Sequence, residues 1–269
     1  MKSIVVKRIL TAIMAGAMSM SFVACGETAE NESKTSESAE NFIVGFDAAF
    51  PPYGYQDENG EYVGFDLDLA AEVCDRNNWE LVKRPIDWDS KDMELSSGTI
   101  NCIWNGFTMT GREDEYAWTA PYVDNSQVFV VKADSGISVF DDLAGKSVAV
   151  QTDSSAETAL KSDENVALKD SFKELVVVSD YNTAFMNLDS SSVEAIAMDV
   201  GVAKYQIESR GDEYVMLSDI LSEEQYAVGF ALDNTELRDR VDNTLNDMRK
   251  DGTFEKIAEK WKLTDSIIK

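Results

Sequence analysis

TINCIWNGFTMTGRED, Thr99 to Asp114, begins as an apolar strand and ends in small polar residues and an arginine. A strand leading through Asn105, Gly106, Thr108 and Thr110 to Arg112 delivers bare backbone, two hydroxyls and a guanidinium to one edge of a sheet. Those groups suit a carboxylate, because arginine offers a planar fork of donors and glycine leaves the main chain uncovered. Taken alone, Arg112 reads equally well as a surface ion pair. The segments around it set the frame.

Upstream, FIVGF (42–46) is a buried strand, and YGYQDENGEYVGF alternates about Asn59-Gly60 as a hairpin. The DxNG inside it lacks the later ligands of a calcium loop. FDLDLAAEVCDRN sets Phe65, Leu69 and Val73, with Ala70 and Cys74, on one helical face. WELVKRPI is a second strand, SKDMELSSG a short helix, and TINCIWNGF a third strand. Alternating strands and helices imply a parallel sheet with crossover helices. Then the pattern restarts. NSQVFVVKA is a long strand, ISVFDDLAGK a helix and turn, SVAVQ a strand and SSAETALKS a helix. KELVVVS, YNTAFMNLD and VEAIAMD repeat strand, helix, strand. EQYAVGFAL is a second long strand, and two helices broken near Gly252 close the chain. The expected fold class is α/β with two lobes joined by two hinge strands, lobe 1 over 42–129 plus 227–269 and lobe 2 over 130–226. Ligands of open α/β sheets sit at the carboxyl ends of strands, here where the lobes face each other.

Bulk properties narrow the function. The 269 residues hold 44% hydrophobic residues, enough for a real core. A net charge of −26 argues against nucleic acid as a partner. Histidine is absent, which removes serine- and cysteine-histidine catalysis and histidine-ligated metals. Cys74 and Cys102 show no CxxC spacing and read as core thiols, with a bridge between them the alternative. No metal site or cofactor is expected.

Residues 1–24 read as a targeting segment: Lys2, Lys7 and Arg8, then the apolar run ILTAIMAGAMSMSFVA, too short and too rich in small residues for a membrane span. FVAC followed by Gly26 resembles the lipobox of bacterial lipoproteins, which implies lipidation of Cys25; an ordinary secretory signal is the other reading. Residues 25–41 form a polar tether reaching at most roughly 50 Å. The chain stops at Lys269 without a second apolar segment, so a built-in sensor is not expected.

An α-amino acid asks a site for an arginine at its carboxylate and for acidic and hydroxyl groups at its ammonium, since charges taken out of water must be paired. VAVQTDSSAET runs from a strand into a helix start, where Ser154, Ser155 and Ala156 present N–H groups. Asp199 ends the apolar strand EAIAMD. Two readings stay open for it, a cap on the next helix or a receptor for an ammonium group.

The segments FIVGFDAAFPPYGYQDENGEYVGFDLDLAAEVC, SGTINCIWNGFTMTGREDEYAWTAPYVDNSQVFVV and LNDMRKDGTFEKIAEKW resemble the polar amino acid-binding proteins of bacterial ABC uptake systems, extracellular solute-binding proteins of family 3. The resemblance covers essentially everything after residue 41. It implies a type II periplasmic-binding-protein fold that captures a polar or cationic L-amino acid and delivers it to an ABC permease, as a monomer held by its lipid on the extracellular face of the cell membrane. It implies that Arg112 clamps the ligand carboxylate, with Asn105, Gly106 and Thr108 beside it. Ser155, beside Ser154 at the helix start, meets the carboxylate from the second lobe, and Asp199 receives the ammonium. Phe50 and Trp88 wall the side chain, and Asp47 meets its polar end. Two departures stand out. Only Gly111 separates Thr110 from Arg112, where the family spaces them by two residues, so the loop tightens or the clamp is altered. Gln151 stands where some relatives carry lysine, which suits arginine or lysine better than glutamine as ligand; glutamine and cystine specificity are the alternatives. Some cyclohexadienyl dehydratases resemble the same fold, but they need a general acid that the sequence does not single out.

Overall fold

A computed structural model describes residues 39–211 and 213–268. The leader, the lipobox and Cys25 lie outside the described residues. The first part of the chain runs through β1 (Glu40–Phe46), β2 (Ala49–Phe50), β3 (Gly54–Gln56), β4 (Tyr62–Val63), α1 (Phe65–Asn77), β5 (Trp79–Pro85), α2 (Lys91–Ser96), β6 (Cys102–Ile103) and β7 (Ala117–Trp118). The middle comprises β8 (Val123–Lys132), β9 (Ser147–Gln151), α3 (Ser155–Lys161), α4 (Val166–Ser171), β10 (Glu174–Val178), α5 (Tyr181–Asp189), β11 (Ala195–Asp199), α6 (Val200–Arg210), β12 (Tyr214–Met216) and β13 (Ser222–Tyr226). Strand β14 (Gly229–Phe230) and helices α7 (Thr235–Asp251) and α8 (Thr253–Lys260) return to the first sheet.

That first sheet has the order β5-β1-β6-β14-β7. Strands β1 and β5 pair in parallel from Glu40↔Trp79 to Phe46↔Pro85, so Glu40 and Asn41 of the expected tether open the sheet. Main-chain pairing carries them, since both side chains are exposed. Helix α1 makes the crossover and buries Phe65, Leu69, Ala70, Val73 and Cys74, the face expected from its period. Asn78, in the left-handed conformation, ends it. Cys74 and Cys102 are buried and unbridged.

The second sheet has the order β10-β9-β11-β8-β12, with β13 also on β8. Every residue of β9 and of β11 is buried, as expected for inner strands covered on both faces. They are parallel neighbours, so their last residues, Gln151 and Asp199, arrive at the same sheet edge. These are the polar last residues of two largely apolar strands, and they line one cavity.

Two expected strands prove shorter. The ladder of TINCIWNGF is confined to Cys102–Ile103. After it the chain bends through Gly106 at φ 54, where an added Cβ would lie 2.7 Å from the Phe50 ring. EQYAVGFAL is two strands rather than one: β13 pairs with β8 in the second sheet, and β14 with β6 and β7 in the first. The chain thus passes between the sheets twice, from β7 to β8 and from β13 to β14. The expected helix in ISVFDDLAGK is one 3-10 turn, Phe140–Leu143.

Candidate functional site

Register across three strands builds the floor of the cleft. Asp199 of β11 lies opposite Gln127 of β8, and Asn125, two residues along the same face, lies opposite Glu224 of β13. Alternation brings all four side chains to one side of the sheet. Gln127 Nε2 donates to Asp199 Oδ1 at 2.7 Å and to Glu224 Oε1 at 2.8 Å. Asn125 Nδ2 donates to the same two oxygens at 2.9 and 2.7 Å. Tyr226 and Tyr181 add hydroxyl donors to Asp199 at 2.6 and 3.1 Å. Asp199 occupies the N-cap position of α6, yet its side chain makes no capping bond. The capping reading is thereby set aside.

Burial pushes both carboxyls, Asp199 and Glu224, above the usual carboxylate range; each then gains back part of its ionised form from the donors around it. Among the described residues no lysine or arginine lies within 4.0 Å of either. The floor is an acidic pocket without a cation.

The first-sheet wall carries the opposite charge. Arg112 is half-buried, stacks over Phe107 at 5.5 Å and donates from Nη1 to the Thr108 carbonyl at 3.2 Å. No carboxylate of the described residues lies within 4.0 Å of it. Gly111, at φ 82, closes a turn in which the Arg112 N–H meets the Met109 carbonyl, so the shortened spacing tightens the loop and keeps Arg112 at the cavity. Thr108 Oγ1 stands 3.1 Å from Ser155 Oγ and donates to Glu224 Oε1 at 2.9 Å. The Gly106 N–H is tied to Asp66 Oδ2 at 2.6 Å, and burial pushes the Asp66 carboxyl up to about 7.

From the second sheet, Ser154 caps α3 by accepting from the Glu157 N–H at 3.2 Å, which turns Ser155 into the cavity. Gln151 Nε2 donates to Asp47 Oδ2 at 2.7 Å, so Asp47 stands behind Gln151. Asp47 is buried and its carboxyl is raised, desolvation outweighing the bonds from Ala49 and Gln151. Ten expected residues meet around one cavity: Phe50, Trp88, Asn105, Gly106, Thr108, Arg112, Gln151, Ser154, Ser155 and Asp199. It encloses only about 20 Å³, room for roughly a single water molecule. The walls must part before a larger guest enters.

Asp47 and Trp88 line an outer cleft of about 770 Å³ with Asp87, Asp89, Glu94 and Asp180, and no basic residue among those described lines it. A further cavity of about 590 Å³, near Lys204, Tyr205 and Lys262, has only exposed or half-buried charged groups. No described cluster of acidic and cysteine side chains is arranged to hold a metal ion. Sequence reasoning missed Glu224, Asn125, Gln127, Tyr181 and Tyr226. The available signal was polar residues on the inward beat of NSQVF and SEEQY.

Residues 42–264 match the bacterial extracellular solute-binding proteins, family 3. The L-cystine-binding protein TcyJ of Escherichia coli is 27% identical over 81% of each chain. A solved structure of an ABC uptake transporter substrate-binding protein from Streptococcus pneumoniae with bound histidine superposes with a TM-score of 0.79 at 33% identity, over 82% of this chain and 92% of that one. An ancestral arginine-binding protein bound to glutamine is similar, with a TM-score of 0.75, 32% identity and coverage of 82% and 97%.

Proposed function

The chain belongs to family 3 of the bacterial extracellular solute-binding proteins, and we propose that its cleft closes on one polar or cationic L-amino acid for delivery to an ABC importer. One observation carries this reading: among the described residues, a single cavity is lined by an arginine without a carboxylate and by Asp199 without a cation, with Glu224 joined to Asp199 through the shared donors Asn125 and Gln127. An α-amino acid supplies both missing partners, its carboxylate to Arg112 and its ammonium to Asp199. Thr108, Ser155 and the Asn105 amide, whose Nδ2 is buried without a partner, offer further contacts. Gly106 leaves room between Phe50 and Tyr226.

A cationic side chain suits the outer cleft, where Asp47, Asp87, Asp89, Glu94 and Asp180 face no base among the described residues. Glutamine or cystine would need only the polar groups of Gln151 and Asp47. The two bodies that part and close, expected as 42–129 with 227–269 and as 130–226, divide before Gln127, where β8 joins β11 of the second sheet, and a ligand that touches both lobes stabilises the closed state. Cys25 carries a lipid, the tether lets a monomer lie on the extracellular face, and no described helix is long and apolar enough to cross a membrane.

A thermal-shift screen of the tetherless protein, freed of bound ligand, against the twenty common amino acids, ornithine and cystine tests the reading. Arginine or lysine should raise Tm most. A shift with none of them would overturn it. One observation favours an acid catalyst instead, the buried carboxyl pair on the floor; turnover of a cyclohexadienyl amino acid such as arogenate would establish that reading, and we expect none.

A further inference from the structure

We propose that Glu224 is a second carboxylate of the ammonium pocket, sharing one proton with Asp199 until the ammonium group of a ligand expels it. The inference rests on the reading of the cavity as an amino acid site and adds to it a residue and a proton. Geometry comes first. Asp199 Oδ1 and Glu224 Oε1 flank β8 from either side, and each accepts from the same two nitrogens, Asn125 Nδ2 and Gln127 Nε2. Oxygens bridged twice by shared donors are held close to each other. Two ionised carboxylates in that arrangement repel, and one proton between them removes the repulsion.

The surroundings offer no other remedy. Facing the pair are Tyr181 from α5, Tyr226 from β13, Tyr53 from the loop after β2, Thr108 and Ser155, with Arg112 in the wall of the same cavity. Behind the tyrosines stand two further acids, Asp66 beside Tyr53 and Asp47 beside Tyr181. Burial raises all three tyrosines well above their ordinary range, so they remain neutral donors. Among the described residues facing the pair Arg112 alone is cationic, and it bonds to the Thr108 carbonyl rather than to either acid.

A second observation points to what the pocket takes. Asn125 Oδ1 and Gln127 Oε1 are buried without a hydrogen-bond donor, while their nitrogens serve the carboxylates. Flipping either amide would set oxygen against carboxylate oxygen, so the orientation is fixed by charge. The floor is thus short of donors, and an ammonium group has three. On binding, the shared O–H bond of the pair breaks, its proton passes to solvent, and the ammonium takes its place between two ionised carboxylates. One cation replaces another and no covalent bond forms in the ligand.

Titration calorimetry of the wild-type protein with L-arginine at pH 6, in phosphate and in imidazole buffers, reads the proton directly. The difference in heat should correspond to release of about one proton per ligand, with affinity falling about tenfold per pH unit below the midpoint of the pair. Glu224→Gln should abolish the release and flatten the pH dependence. Carbonyl NMR of the ligand-free protein should show, beside the raised Asp47 and Asp66, a further carboxyl titration above the ordinary range that is lost in Glu224→Gln, a readout that needs no ligand. Binding of L-arginine without proton release from the wild type would overturn the shared proton and leave the amino acid site standing. Failure of every common amino acid to bind would overturn both.

Discussion

Tyr53 and Gly201 meet across the cleft: a Cβ on Gly201 would lie 2.4 Å from the Tyr53 hydroxyl oxygen and 3.0 Å from its ring. Tyr53 follows β2 in the first sheet's half and Gly201 lies in the first turn of α6 in the second, so the contact exists only when the halves are together. Gly201→Ala should weaken ligand binding about tenfold or more while leaving the melting temperature of the ligand-free protein nearly unchanged. Tyr53→Phe in that background should restore part of the affinity. Calorimetry beside a thermal melt checks both.

Among the described residues Arg112 has no ion pair to lose, so Arg112→Ala should change the stability of the ligand-free protein by no more than about 1 kcal/mol. Ligand binding should fall by about 2–5 kcal/mol, because the ligand carboxylate would be buried unpaired. Arg112→Lys should rescue little of it, as a point charge does not reproduce a two-pronged contact.

Lys91 of α2 pairs with Asp153, which precedes α3, so this ion pair also spans the two halves. Lys91 is buried, whereas half of Asp153 is exposed. Asp153→Ala strands a buried ammonium and should speed ligand release more than Lys91→Met, which removes both the charge and the need for a partner. Stopped-flow dissociation rates distinguish the two. Equal effects would mean the pair is a solvated contact of little consequence.

Stability and affinity should respond to pH in opposite senses. Asp47, Asp66, Asp199 and Glu224 all have carboxyls raised by burial in the folded chain. A raised acid favours folding most while it is protonated, and that contribution is lost as pH rises from the unfolded value near 4 through the folded one, about 7 for Asp66. Asp180 and Asp251 are lowered, but their effect lies below pH 4. The ligand-free protein should therefore melt about 3–10 °C higher at pH 5 than at pH 8. Asp66→Asn should shrink that difference.

Gln151→Lys would place an ammonium beside Asp47 and neutralise the negative end of the outer cleft. Arginine affinity should fall about 10–100-fold relative to glutamine, read from the two titrations on one protein preparation.

Much of the site was legible because it lies at strand ends, where sequence order and spatial order coincide. Thr108 and Arg112 lie in the loop that leaves β6, and Gln151 and Asp199 terminate two parallel, largely apolar strands. The helix in FDLDLAAEVCDRN and the face it buries were readable for a similar local reason, the 3.6-residue period. Glu224, Asn125 and Gln127 were not readable, because their convergence depends on the register of three strands separated by many residues. EQYAVGFAL gave no warning of its break, since its alternation continues through the residues where the chain changes sheets. The end of the TINCIWNGF strand is set by Gly106, whose left-handed backbone gives up the ladder to open the cavity wall.

The most direct measurement compares L-arginine with agmatine, which lacks the carboxylate, and with 5-guanidinopentanoate, which lacks the α-ammonium, by titration calorimetry on the tetherless protein. Each truncated ligand leaves one charged wall of the cavity unmatched, so each should bind at least about 100-fold more weakly than L-arginine. Affinity retained by either compound would contradict a site built for both ends of an amino acid.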